Sequence, residues 1–391
     1  MSQMSGIDGL KREGETYTTA AKRKEALGRI ADMLERKGID PAEIGRIKRI
    51  SLYQSLTKGE DGQAEVHDLA AIQFSPAWED GPQWPVIAQG PTVKIPEPKA
   101  KPHKDRPYKR AVILPDIQAG YFRLQDETLE AIHDEQAIEA ALAILKDASP
   151  DLIVLHGDNL DLAEMGKYMV TPAYARTTQA AIDYMTVLCA RLRSLAPNAR
   201  IVWIAGNHEE RLPKYIINNA VASFGLRRGG APEAWPVLSV PHLCRLDDSK
   251  VEYLPGYPTG SLWINNRLRV IHGDKVASGG STAHKYLATE KTSVLYGHIH
   301  RREWAERTRD DHDGPKTILA ASAGCLARVD GAVPSTRGGT DLDGRPLQRT
   351  EDWQQGIAIV DYNEGEGDFH LELVPIRSGN ARWHGKDYSA G

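Results

Sequence analysis

From Arg110 onward the chain alternates two apolar rhythms. Short unbroken runs, "AVIL" at 111–114, "LIVL" at 152–155 and "IVWIA" at 201–205, have the length and the β-branched content of strands buried on both faces. Longer stretches between them carry apolar residues at helical spacing: "ETLEAIHDEQAIEAALAILKDA", "AAIDYMTVLCARLRSLA" and "RLPKYIINNAVASFG". Strand–loop–helix units in series predict an α/β fold with buried sheets. The second half is richer in strand patterns: "SLWINNRLRVIHGD", "SVLYGHIH", "KTILAASAG", "QGIAIVDY" and "FHLELVPI".

The front of the chain has a different pattern. Residues 1–16 are polar and are expected to be loose. Residues 17–80 predict a helix and a β-hairpin. Leu27, Ile30, Met33 and Leu34 fall at helical spacing, with Gly38 as the stop. Ile50 and Leu52 share one strand face, as do Val66, Ala70, Ile72 and Phe74, with "KGEDGQ" as the turn. Residues 81–109 are rich in proline and basic residues and read as a semi-rigid linker whose charge suits a phosphate backbone. The main domain is expected over 110–377, followed by a tail over 378–391. No internal repeat is present.

Composition narrows the class. The 391 residues are 41% hydrophobic and 26% charged with a net charge of −4, as in an ordinary globular protein. Three cysteines, Cys189, Cys244 and Cys325, lie far apart, which excludes a disulfide framework and a zinc–thiolate site. No apolar run has the length of a membrane span and the N-terminus has no signal-peptide core, so a cytoplasmic protein with no membrane partner is expected.

Candidate chemistry sits where the strands end. Five of them deliver polar clusters: Asp116 with Gln118; Asp158 with Asn159 and Asp161; Asn207, His208 and Glu209; His272 with Asp274; and His298 with His300. Carboxylate, amide and imidazole donors gathered at C-terminal strand ends suit Mn²⁺, Mg²⁺, Fe²⁺ or Zn²⁺. Seven donors suffice for two ions that share one carboxylate. His298 and His300 are expected to alternate along an extended segment, with Ile299 pointing away.

The blocks "PDIQ", "GDNLD", "GNHE", "HGD" and "GHIH" resemble, in order and spacing, those of the calcineurin-like metallophosphoesterases. The resemblance implies a two-sheet αββα sandwich that hydrolyses phosphoesters with two metal ions. It implies that Asp158 bridges the ions, that Asp116, Gln118 and His300 complete one site, and that Asn207, His272 and His298 complete the other. His208 would act as proton donor or phosphate clamp, and Asp161 would orient substrate or leaving group. Gln118 stands where the family usually has His. Its amide oxygen makes the first site mostly oxygen, which favours Mn²⁺ or Mg²⁺ over Zn²⁺.

Arg211, Ser281 in its Gly-rich turn and Arg301 are candidate phosphate contacts, each also explained as a solvated or capping residue. Glu209 is a candidate to orient an imidazole ligand. His133 reads as a satisfied helix histidine and His156 as a packing residue. For the substrate, DNA leads: the linker is basic, and the motif set is similar to that of SbcD-type repair nucleases. The layout also resembles metallophosphoesterases carried by bacteriophages, which would place the protein in host cytoplasm. A nucleotide diphosphatase or cyclic-nucleotide phosphodiesterase follows, then a protein phosphatase. "GDNLD" lacks the Arg-Gly of the phosphatase branch. A homo-oligomer stays open.

Overall fold

The computed structural model describes residues 36, 106–167, 171–230, 234–334, 341, 347 and 351–390, and the backbone of residues 10–13, 16–19, 44–58 and 64–76. The chain divides into two compact units, Met1–Thr92 and Val93–Gly391.

In the first unit β1 (Leu10–Glu13) pairs antiparallel with β2 (Thr16–Thr19), and β3 (Ile44–Lys58) with β4 (Ala64–Pro76). The second pair is the expected hairpin: Ile50 lies opposite Ile72 and Leu52 opposite Ala70. The first pair corrects the expectation of loose chain up to residue 16. Its second strand, "TYTT", is made of strong β-formers that give the polar "LKRE" a partner. Apart from Arg36, the residues expected to form the helix after Thr19 lie outside the described ones, as does the linker up to residue 105.

The second unit contains β5 (Lys109–Leu114), a small hairpin of β6 (Tyr121–Arg123) and β7 (Leu129–Ala131), α1 (Glu135–Ala148), β8 (Leu152–Leu155), α2 (Thr178–Leu195), β9 (Arg200–Ile204) and α3 (Arg211–Asn219). After a short helix, α4 (Val240–Leu243), come β10 (Val251–Leu254), β11 (Ser261–Asn265), β12 (Leu268–Ile271), α5 (Thr282–Thr289), β13 (Ser293–Tyr296), β14 (Arg302–Asp311) and β15 (Gly314–Ala323). The chain closes with β16 (Gly356–Tyr362), β17 (Phe369–Arg377), β18 (Asn380–Trp383) and β19 (Lys386–Ser389).

Two sheets form the frame, with strand orders β10-β9-β8-β5-β16-β17-β18-β19 and β11-β12-β13-β15-β14. The short apolar runs are buried on both faces because each face meets a different layer. In β5, Val112 and Leu114 pack toward α1 and α2, while Ala111 and Ile113 face the other sheet. β8 and β9 repeat the alternation: Ile153, Leu155, Ile201 and Trp203 face the helices, and Val154, Val202 and Ile204 face the other sheet, where they meet Val270 and Leu295. Val294 and Tyr296, on the far side of β13, pack with Tyr286 and Leu287 of α5. Helix, sheet, sheet, helix is the αββα sandwich.

Several expectations need correction. The helix expected to start near Glu127 starts at Glu135. Leu129–Ala131 pair with β6 instead, and the Asp134 carboxylate caps the helix by accepting from Ala137 N–H at 2.9 Å. His133 is therefore not helical; it is buried between Tyr121 and Tyr184. The expected tail over 378–391 contributes β18 and β19 to the large sheet, with Trp383 only 4% exposed and its indole N–H donating to Glu372 at 2.9 Å. The expected linker to residue 109 ends in ordered chain. Arg106 donates to the α1 terminal carbonyls of Ala148 and Ser149 at 3.0 and 2.8 Å, where a cation suits the helix C-terminus.

Candidate metal centre

β5, β8, β9, β12 and β13 each end one to three residues before a candidate ligand: Asp116, Asp158, Asn207, His272 and His298. Their ends converge on one site. Among the described residues two donor clusters form there, Asp116–Asp158–His300 and Asp158–His272–His298, so Asp158 belongs to both. His272 Nε2 lies 3.2 Å from Asp158 Oδ2 and 3.2 Å from Asn207 Oδ1, and His300 Nε2 lies 3.1 Å from Asp116 Oδ1.

The backbone that presents these groups is unusual. Asp116, Gln118, Asp158, His298 and His300 all have positive φ, between 41° and 71°. Such residues are uncommon outside glycine and cost free energy unless their surroundings hold them. The expected extended geometry of His298–Ile299–His300 is thus corrected. Two left-handed residues flank a buried isoleucine, as they do in Asp116–Ile117–Gln118. Both isoleucines still point into the core, which turns the flanking pair toward the metals.

Hydrogen bonds lock these turns together. Gln118 N–H donates to Asp158 O at 2.8 Å and Ala119 N–H to Asn159 O at 2.7 Å. His298 N–H donates to Asp116 Oδ1 at 3.0 Å, and His208 N–H to Asp158 Oδ1 at 2.8 Å. A Cβ on Gly206 would lie 2.2 Å from Asp158 Oδ1, so only glycine lets "GNHE" approach the bridging carboxylate.

Glu209, a candidate to orient an imidazole, binds amides instead. It is 1% exposed and accepts from Asp158 N–H at 3.0 Å, Asn159 N–H at 2.8 Å, Gly206 N–H at 2.7 Å and the Trp203 indole at 3.2 Å. Burial and the Asp158 charge raise its pKa, against the opposing pull of those amides. It anchors the loop that carries the bridging ligand. His156, the expected packing residue, donates through Nε2 to Ile271 O at 2.7 Å, and its own carbonyl accepts from His272 Nδ1 at 2.9 Å. That bond leaves His272 Nε2 for the cluster.

The donor set fits divalent cations. Burial alone would lower the pKa of His272, yet the Asp158 carboxylate raises it to about 10, which marks a field that attracts positive charge. Burial and the charge on His272 push His298 down to about 4. The amide nitrogen of Gln118 lies 3.5 Å from Asp158 Oδ2 and 3.4 Å from His300 Nε2, while its Oε1 is buried with no donor. Half a turn of the amide puts that oxygen on the cluster. Asp116, Gln118, Asp158 and His300 would hold one ion, and Asp158, Asn207, His272 and His298 the other.

The centre opens into a cleft of about 770 Å³ lined by Asp158, Asn207, His208, His298 and His300, and further out by residues of α3. His208 Nδ1 bonds Asp161 O at 2.9 Å. Arg211 donates to the same carbonyl at 2.6 Å and to His208 Nε2 at 2.9 Å. Asp161 is buried and absent from the cleft wall, so it acts on His208 rather than on substrate. Burial opposes a charge on His208, but Asp158 and Asp161 outweigh it and raise its pKa. Of the other candidate contacts, Ser281 turns its hydroxyl to Ser278 O at 2.7 Å and is not on this cleft. Arg301 donates to Ala277 O at 2.8 Å and lines a neighbouring cavity of about 370 Å³ with Glu351, Asp352 and His298. Trp353, which carried no functional signal in the sequence, stands between the two cavities with its ring centre 4.1 Å from that of His300.

Residues 110–319, over half of the chain, match the calcineurin-like phosphoesterase family. The chain belongs to that family. The phosphoesterase is accordingly a metal-dependent hydrolase of phosphoester bonds, and its Asp–His clusters stand where the family's two divalent ions would bind. None of the curated proteins matches its sequence. Among the described residues of the phosphoesterase no helix is long and apolar enough to cross a membrane.

Proposed function

We propose that the chain is a Mn²⁺-dependent phosphodiesterase that cleaves DNA. The observation that carries this reading is the composition of the cleft beside the metal centre. Lys167, Arg211 and Lys214 line it together with the rings of Tyr215, Tyr257 and Trp353, and Asp158 is its one acid among the described residues. Cations beside aromatic rings on a cleft wall suit a phosphate chain that carries bases. A phosphomonoester group on a protein would use the cations and leave the rings idle.

Two divalent cations, once bound, polarise the phosphorus and acidify water. The chain's own residues do the rest. Asp158, pinned through Oδ1 by His208 N–H, keeps Oδ2 on the metal side. His208, fixed by its Nδ1 bond to Asp161 O, lines the cleft with Nε2 accepting from Arg211, and once Arg211 turns to phosphate Nε2 can move a proton to the leaving oxygen. Arg211, next to it, is placed to hold a non-bridging phosphate oxygen. The oxygen-rich set with Gln118 favours Mn²⁺ over Zn²⁺.

Metal-stripped protein reloaded with Mn²⁺ and given end-labelled single- and double-stranded DNA tests the reading. Cleavage that disappears in Asp158→Asn and in His208→Ala is the expected result. A cleft of this volume also takes one small nucleotide. Intact DNA beside Mn²⁺-dependent hydrolysis of a nucleotide diphosphate or cyclic nucleotide would transfer the assignment to a small-molecule phosphodiesterase.

A further inference from the structure

We infer that the exposed face of α3 is a subsite for the unpaired strand flanking the scissile phosphate, with Lys214 on the neighbouring phosphate and Tyr215 under a base. The inference rests on the nuclease reading above and deepens it.

The face is built by spacing. α3 reads "RLPKYIINN". Leu212 and Ile216 are buried in the core, which fixes the rotation of the helix. Arg211, Lys214, Tyr215, Asn218 and Asn219, at positions i, i+3, i+4, i+7 and i+8, all line the cleft that holds His208 and the metal ligands. Amphipathicity explains why this face is polar. It does not explain why five positions carry no acid in a chain with 53 acidic and 49 basic residues. A face made only for solvation mixes both signs.

Position along the helix gives each residue a different reach. Arg211 sits at the start of α3, bonded to His208, and so belongs to the scissile phosphate. Lys214 lies one helical turn further, about 4.5 Å along the axis for three residues. It makes no hydrogen bond or ion pair with any described side chain, so its charge faces the cleft unspent. Tyr215 is 45% exposed and is among the large apolar side chains left at the surface. Asn218 and Asn219 offer amides at the outer end.

The occupant follows from the chemistry. A base stacks on a tyrosine only when it is unpaired, so the occupant of this face is a single strand. Direction follows from the second cavity. Beyond Trp353 the wall carries Glu351 and Asp352, which repel phosphates, and its arginine, Arg301, is engaged by Glu303 and Ala277 O, so the strand leaves the metals along α3.

The test compares single-stranded DNA with bis(4-nitrophenyl) phosphate, a diester that carries no neighbouring phosphate for Lys214, using full-length Mn²⁺ enzyme. For Lys214→Ala we expect the ratio of the two kcat/KM values, DNA over small diester, to fall roughly tenfold. The loss lies mainly in KM, and the salt slope of DNA binding shrinks by about 0.7. Tyr215→Ala should weaken single-strand binding by roughly 5- to 150-fold, and Tyr215→Phe should restore it. Equal losses on both substrates, or an unchanged ratio in both alanine variants, overturns the subsite while leaving the nuclease reading intact. If the wild type hydrolyses the small diester and never cuts DNA, the nuclease reading falls and takes the subsite with it.

Discussion

Glu209 illustrates how a single side chain can govern a metal site without touching it. Its carboxylate is the common acceptor for amides of Asp158, Asn159 and Gly206. In Glu209→Gln an NH₂ group would face those N–H donors. We expect a loss of about 2 kcal/mol in stability and a drop of about 10- to 100-fold in Mn²⁺ affinity, read by thermal melting and metal titration. The residue types of this site were legible in the sequence, because donors at strand ends have to be polar. Their backbone was not. Nothing in "PDIQ" or "GHIH" announces left-handed residues on either side of an isoleucine, since the turns are set by contacts between loops distant in sequence. His133 was misplaced for a similar reason: its partners, Gly120 and Tyr184, come from elsewhere in the chain. Burial pushes its pKa from near 6.5 down to about 4. The unfolded chain therefore binds a proton that the fold excludes, so stability is lost as pH falls from 6.5 toward 4, by up to roughly 3 kcal/mol from this group. His133→Gln should flatten the fall of melting temperature over that window; an unaltered slope would remove His133 from the acid response.

The elements divide by how they are buried. Strands packed on both faces, such as β5, β8, β9 and β16, announce themselves as unbroken apolar runs. β14, β18 and β19 do not. "REWAERTRDD" pairs along its whole length with β15 yet is largely exposed, and "NARW" with "KDYS" forms an edge hairpin whose pattern is too short and polar to stand out. That hairpin hangs on Trp383. Its indole bonds Glu372, and the Arg110 guanidinium lies 5.3 Å from its ring while pairing with Asp361 at 2.6 Å. Trp383→Ala should cost about 3 kcal/mol and release amide protection in β18 and β19 first, which hydrogen exchange would register. Protection that persists there would mean the sheet edge holds without the indole.

On the scale of the whole molecule, every ligand, the cleft and all the described hydrophobic cores belong to the unit Val93–Gly391. Binding energy at the centre should therefore appear as stability of that unit. Mn²⁺ at a hundred times its Kd adds about 2.7 kcal/mol, so its melting temperature should rise with Mn²⁺, and Asp158→Asn should cancel the rise. The way the ligand turns are joined has a further effect. Peptide hydrogen bonds from Gln118 to Asp158 and from Ala119 to Asn159 fasten the turn that carries Asp116 and Gln118 to the turn that carries the shared carboxylate. These bonds resist any widening of the donor cage around a larger guest. Such a centre gauges ions by radius: Ca²⁺, whose ligand distances run longer than those of Mg²⁺, should occupy it, compete with Mn²⁺ in titrations and leave the phosphodiester uncut.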